Sequence, residues 1–333
     1  MNVHNVLIVG AGVMGQVYAR AIATGDLRFR ARVSGVCDLA EPAARALAEE
    51  VGATAYTDLT TALAQSGADL AYVAVPDHLH REPFLEVVAA RVPVLVEKPL
   101  ATTVEDADAL RAAARAAGVR AEVNFSNRWN PAFQRVAEAI ERGSLGELIG
   151  ANARLSNVID YPLEHLSWAS RTTSGWFLLS HVFDLVHWLT GAHAVEVTAT
   201  GRSGRLAAAG IDAPDLIHSL IRYDTELSGI YESAWVLPRS LPSPVDFKLE
   251  LVGTEGAAYV DTHEQTVRIA SAHALAYPGT LDWTQARFSA FLDSLEEQPG
   301  WTDGMLDDGV ENVATLVALH TALKRREPVR VGA

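Results

Sequence analysis

Short apolar runs alternate with helical periodicity through the first third of the chain. Asn5–Val9, Leu70–Val75 and Val92–Val96 are continuous apolar runs, and Arg32–Cys37 and Arg120–Phe125 read as two further strands. Between them Val13–Thr24, Pro42–Val51, His78–Ala90 and Val104–Ala117 carry the spacing of helices. Strands apolar at every position are buried on both faces. The strand–helix rhythm therefore predicts a doubly wound parallel sheet with helices on either side.

The rhythm changes near residue 125. Pro131–Arg142 and Ser174–Leu189 read as helices. Then Val195–Thr200, Ile217–Tyr223, Gly229–Val236, Phe247–Val252, Ala257–Asp261 and Val267–Ala270 follow as strands with no helices between them. Consecutive strands predict a mostly antiparallel sheet. Leu281–Leu295 and Asp308–Arg326 close the chain as helices, while Gly143–Gly150 and Ser203–Pro214 read as surface loops. The expected organisation is an α/β first domain over residues 1–125 and an α/β second domain over 126–333, the last helix free to pack back on the first.

Composition narrows the function classes. The 333 residues carry 27 basic and 41 acidic side chains, a net charge of −14. Such a chain lacks the electrostatic footprint for nucleic acid or an anionic membrane. One cysteine, Cys37, rules out an intrachain disulfide, and no Cys/His spacing suggests a bound metal. No apolar run approaches the ~18 residues of a membrane span and no leader is recognisable, so a cytoplasmic location is expected. Of the basic residues only Lys98, Lys248 and Lys324 are lysines.

Two local patterns carry chemistry. Gly10-Ala11-Gly12-Val13-Met14-Gly15 follows the first strand and opens a helix. In that setting Gly10 permits the tight turn, Gly12 lets backbone N–H groups approach a pyrophosphate, and Gly15 allows close helix–strand contact. Asp38 ends the second strand, 23 residues after Gly15. A carboxylate there accepts ribose hydroxyls and repels a 2′-phosphate, so NAD is expected in preference to NADP. The second pattern is Glu97-Lys98-Pro99, which leaves the strand Val92–Val96 at its carboxyl end, where open α/β sheets bind ligands. Pro99 fixes its own φ and is a candidate for a cis bond. Lys98 can share a substrate hydroxyl proton and stabilise an alkoxide, with Glu97 orienting the ammonium and the nicotinamide ribose.

Together with further landmarks these patterns make the chain resemble the Gfo/Idh/MocA oxidoreductases. The landmarks are Ala74-Val75-Pro76-Asp77 with His80 and Glu82, Phe125 with Asn127-Arg128-Trp129-Asn130-Pro131, and the run from Ser180 and His181 through Asp184, His187 and Trp188 to Gly191. The resemblance implies an N-terminal Rossmann domain and a C-terminal domain with a large open sheet, through which a homodimer or homotetramer would be built. It also implies NAD(P)-linked hydride transfer at a hydroxyl or keto carbon of a sugar or cyclitol. By correspondence Lys98 is the catalytic lysine and His181 its acid–base partner; His80 is expected to cap or line the nicotinamide side, and Pro76 to bind the cofactor. One position departs. Phe177 stands four residues before His181, where many members carry Asp, and an α-helical register would put 177, 181, 184 and 188 on one face.

Substrate contacts are expected from Lys98, Arg128, Phe177, His181 and Asp184, and from Trp168 or Trp176, which flank the polar stretch 169–175. All seven tryptophans (129, 168, 176, 188, 235, 283 and 301) lie in the second part of the chain, and their faces suit the C–H faces of sugar rings. The expected function is dehydrogenation or reduction of a sugar, sugar derivative or cyclitol. The Phe177 departure keeps open a cofactor-binding sensor without turnover. A redox-assisted glycoside-cleaving enzyme of the same fold is the third reading.

Overall fold

The computed structural model describes residues 3–262, 266–271, 275–276, 284–298, 300–302 and 304–332. Trp283 and the expected helix start at Leu281 lie outside the described residues. No helix among the described residues is long and apolar enough to cross a membrane.

The chain divides into two compact units, Met1–Ser126 with Trp283–Val310, and Asn127–Asp282 with Glu311–Ala333. In the first, six parallel strands run in the order 3-2-1-4-5-6: β1 His4–Val9, β2 Ala31–Cys37, β3 Thr54–Tyr56, β4 Leu70–Val73, β5 Val94–Val96 and β6 Ala121–Val123. The connecting helices are α1 Val13–Ala23, α2 Glu41–Val51, α3 Leu59–Gln65, α4 Arg81–Ala89 and α5 Val104–Ala117. The expected helix from His78 is broken: a 3₁₀ turn, Asp77–Leu79, precedes α4. β3 and α3 escape the apolar pattern because β3 has only three residues and pairs only with β2.

In the second unit α6 Pro131–Glu141 and α7 Ser180–Thr190 pack with a nine-stranded sheet, counted over the described residues. Its strands are β7 Leu148–Asn157, β8 Ala194–Arg202, β9 Leu216–Tyr223, β10 Ser228–Ala234, β11 Val245–Gly253, β12 Gly256–Asp261, β13 Thr266–Ser271, β14 Leu275–Ala276 and, after the last helix, β15 Val329–Arg330. They run in the order 14-13-12-11-7-10-9-8-15, all pairs antiparallel except β10 with β7. β7 is central, yet its buried face near the middle is built from Ala151 and Ala153, so residues 148–150 looked like a loop. The expected loop 203–214 contains a short helix, α8 Arg205–Ala208, anchored by the buried Leu206.

Two helices close the chain, α9 Thr284–Glu297 and α10 Met305–Arg325. The expected second domain, 126–333, does not keep α9. All crossovers from β3 to β6 pass on one side of the sheet, as right-handed connections require. The apolar side chains on the other face of β4 and β5, Leu70, Tyr72 and Leu95, would be bare without a further helix. Phe288, Phe291, Leu292 and Leu295 of α9 join the same core cluster as those residues and as Tyr18 and Ile22 of α1. The helix that returns is thus α9 with the start of α10, not the last helix as a whole.

Phe291 is fully buried. Phe291→Ala should cost about 3–5 kcal/mol of stability, read as an earlier denaturant midpoint for the first unit. An unchanged midpoint would show that α9 is not integral to that core.

Candidate active site

The first unit places its loops side by side through the parallel register. Val9, Val73, Val96 and Val123 are ladder partners across β1, β4, β5 and β6. The pairing runs one residue further: Ala74 N–H donates to Val9 O at 2.7 Å, Glu97 N–H to Val73 O at 2.8 Å and Asn124 N–H to Val96 O at 2.7 Å. Gly10, Ala74, Glu97 and Asn124 therefore leave the carboxyl edge of the sheet as neighbours.

The three glycines of the first turn answer different demands. Gly10 has φ +102°, and a Cβ there would stand 2.5 Å from Ala74 O. A Cβ on Gly15 would stand 1.9 Å from Gly10 O, so helix and strand leave no room for a side chain. Gly12 is unlike both: its φ is −72°, and a Cβ would meet nothing within 4 Å. Neither backbone nor packing requires glycine at 12, so the open space beside it fits a ligand. Gly12 caps α1 without a side-chain hydrogen bond, and no acidic residue stands in the first turn, which leaves donors at Val13, Met14 and Gly15. Asp38, half-buried, accepts Ala11 N–H at 2.8 Å through one carboxylate oxygen and Ala40 N–H at 2.8 Å through the other. Each oxygen retains a lone pair, and the following residues, Leu39, Ala40 and Glu41, offer no cation for a 2′-phosphate. The residues present fit a dinucleotide of the NAD type.

Glu97 and Lys98 are both buried, with relative exposures of 5% and 8%, and the Lys98–Pro99 bond is cis. Glu97 Oε1 accepts from the Tyr72 hydroxyl and from Asn124 Nδ2 at 2.6 Å, and Oε2 accepts the Lys98 N–H at 3.2 Å. Tyr18 adds a second tier, donating to Asn124 Oδ1 at 3.0 Å. Burial pushes Lys98 below the ordinary lysine range, against the charges of Glu97 and Asp77, which favour the ammonium. Burial likewise drives the Tyr72 hydroxyl well above its usual value, so it stays a donor. Tyr72, Asn124, Asp77 and Tyr18 were not among the expected site residues. The available signal was a hydroxyl-bearing ring inside the apolar strand 70–73.

His80 is held by backbone carbonyls on both ring nitrogens. Its ring is buried, with Nδ1 2.7 Å from Pro99 O and Nε2 3.0 Å from Val75 O, and burial lowers its pKa. It ties the turn after β4 to the turn after β5 rather than presenting a nitrogen to a ligand. Pro76, half-buried, opens the 3₁₀ turn that carries Asp77.

In the second unit, Arg128 and Asp184 are given to each other. Arg128 Nε donates to Asp184 Oδ2 at 3.1 Å and Nη2 donates to Oδ1, and both residues are buried. The two residues expected to touch substrate are thus ion-paired with each other. His181 is half-buried on the first turn of α7. The expected continuous helix from Ser174 is interrupted by a π-helical turn, Gly175–Leu179. Bonding i→i+5 adds a residue to the turn, so Phe177 is offset from the face of 181, 184 and 188. Phe177 instead joins an aromatic group, its ring centroid 5.6 Å from Tyr161, 6.0 Å from Trp168 and 5.9 Å from Trp235. Trp176 turns away from that group and stacks on His320 at 4.6 Å, which Thr173 Oγ1 meets at 2.7 Å. Tyr161 and Trp235 carried no sequence signal beyond being aromatic.

Comparison with known proteins agrees with this architecture. Residues 4–125 match the family model described as oxidoreductase family, NAD-binding Rossmann fold, and residues 133–259 match the GFO/IDH/MocA C-terminal domain. Inositol 2-dehydrogenase 1 of Saccharopolyspora erythraea is 32% identical over 216 residues, 63% of this chain and 61% of that one. Myo-inositol dehydrogenase Hyg17 of Streptomyces leeuwenhoekii is 30% identical over 254 residues, 75% of this chain and 74% of that one. The crystal structure of scyllo-inositol dehydrogenase from Lactobacillus casei, with bound NAD(H) and scyllo-inositol, superposes with a TM-score of 0.83 over 100% of both chains at 17% identity. At that identity the likeness is one of fold.

The glycine geometry separates two substitutions. Gly12→Ala should leave the melting temperature of the cofactor-free protein unchanged while weakening NAD binding by about tenfold or more, close to 1.4 kcal/mol, in a calorimetric titration. Gly15→Ala should lower the melting temperature itself. Equal NAD affinity in Gly12→Ala and the parent chain would remove the case for a pyrophosphate beside residue 12.

Proposed function

This chain belongs to the Gfo/Idh/MocA family of NAD-binding oxidoreductases, and we propose that it is a dehydrogenase that oxidises a secondary hydroxyl of a cyclitol or sugar. The observation that carries the reading is Lys98, a buried amine at the carboxyl end of β5, on the same sheet edge as the Gly10–Gly15 turn and separated from it by β4. Backbone donors at the start of α1 would hold the pyrophosphate, and Asp38 the adenosine ribose hydroxyls. NAD, when bound, supplies the hydride acceptor. Lys98 takes the hydroxyl proton on Nζ as the C–O bond becomes a carbonyl, and in the reverse direction returns it. Family correspondence adds His181 as the assisting acid–base group.

The relatives named for inositols favour a cyclitol. The half-buried rings of Tyr161, Trp168 and Phe177 suit the C–H faces of a polyhydroxylated ring. A homodimer or homotetramer is expected through the open sheet, where the cross-strand pair Leu220 and Ile230 is 49% and 60% exposed. A cytoplasmic location fits the single cysteine, Cys37, which is buried and free.

A panel of inositols and sugars with NAD and with NADP tests the reading. NADH formation on a cyclitol, faster with NAD than with NADP, is expected. Lys98→Met should lose about 10²–10⁴-fold in turnover while still binding NAD, and full turnover in that variant would overturn the assignment. The oxidation rate should rise with pH as Lys98 loses its proton, with a midpoint below the 10.5 of an ordinary lysine. NAD binding without any turnover would favour the sensor, and glycoside cleavage without net NADH the glycoside-cleaving enzyme.

A further inference from the structure

We propose that Tyr72 and Asn124 are positioning residues that hold the Glu97 carboxylate as a fixed charge partner for Lys98, with Tyr18 as the outer support. The inference rests on the reading of Lys98 as the proton acceptor. A buried carboxylate that lacks hydrogen bonds is costly, and it recovers solution-like stability only through donors. Glu97 accepts three hydrogen bonds: from the Tyr72 hydroxyl and Asn124 Nδ2 on Oε1, and from the Lys98 N–H on Oε2. Side chains from three elements converge to do this. Tyr72 comes from inside β4, Asn124 from the residue after β6, and Tyr18 from α1.

The arrangement leaves the group little freedom. Tyr72 is fully buried, and its ring packs 4.5 Å from Tyr18, which in turn lies 6.1 Å from Phe288 of α9. Asn124 Oδ1 is occupied by Tyr18, so its amide is oriented with Nδ2 towards Glu97 and, at 3.4 Å, the Tyr72 oxygen. The remaining titratable groups around the pair in the first unit are Asp77, whose charge favours the ammonium, and His80, whose ring is held between Val75 O and Pro99 O. Tyr72 and Asn124 thus reach Lys98 through Glu97. Without the Tyr72 hydroxyl, the carboxylate charge that favours the ammonium is less well supported, and Lys98 releases its proton more readily.

The three lysines make this directly measurable. The full chain labelled with ¹³C-lysine shows signals from Lys98, Lys248 and Lys324 alone, and Lys98→Met identifies the first. In the cofactor-free protein, Tyr72→Phe should lower the pH midpoint of the Lys98 signal by about half a pH unit or more, the scale expected for one hydrogen bond to a charged group. Asn124→Ala should move it in the same direction, and Tyr18→Phe less far. The Lys248 and Lys324 signals should not move. The acid limb of the rate profile for cyclitol oxidation should shift with the Lys98 midpoint. Midpoints unchanged in both Tyr72→Phe and Asn124→Ala, in variants that retain the parent circular dichroism, would overturn the proposal, even if turnover fell. A chain that shows the shift but no turnover on any substrate would keep this inference and overturn the catalytic reading instead.

Discussion

A buried amine at a sheet edge is the constraint around which the first unit is organised. An isolated ammonium in a protein interior costs several kcal/mol, so Lys98 needs a charge nearby or must give up its proton. The structure supplies both conditions in part. Burial pushes the amine towards neutrality, and the charges of Glu97 and Asp77 draw it back. An amine poised between the two forms is what proton exchange with a hydroxyl requires. Lysine suits this place in a chain that mostly uses arginine, because a guanidinium is effectively always protonated.

That balance depends on pieces far apart in sequence. Glu97 keeps its place because Tyr72 and Asn124 donate to it. Those donors stay dry because Tyr18 and Phe288 pack beside them. α9 is therefore more than a cover for a bare sheet face, since it helps to seal the wall behind Glu97 and Lys98. A buried pair in the second unit shows the same economy of charge. Arg128 and Asp184 pair with each other, as buried opposite charges must to offset their desolvation. The spacing of the chain alone could not show that Arg128 and Asp184 meet, because they lie 56 residues apart.

Much of the fold was legible in local patterns. The strands around Val9, Val73 and Val96 are apolar on both faces, which is a property of composition. The glycine turn was legible because Gly10 and Gly15 are demanded by backbone geometry a few residues away, apart from the close approach of Ala74. The weak patterns were the ones missed. β3 is three residues long, and the middle of β7 buries alanines rather than large side chains. The π-helical turn before α7 was invisible for another reason. A helical periodicity presumes a constant number of residues per turn, and one added residue rotates Phe177 off the expected face.

By itself the sequence determined the parallel sheet, the anion-binding turn, Asp38 at the end of β2 and a lysine held beside a proline, since each follows from backbone preferences and spacing along a short segment. Only the tertiary structure decided that α9 completes the first core, that Tyr72 and Asn124 reach Glu97, that His80 braces two turns, and that Arg128 and Asp184 pair. Those outcomes rest on hydrogen bonds and packing between residues distant in the chain. Their partners are chosen by where burial leaves a donor, an acceptor or an apolar face unmet.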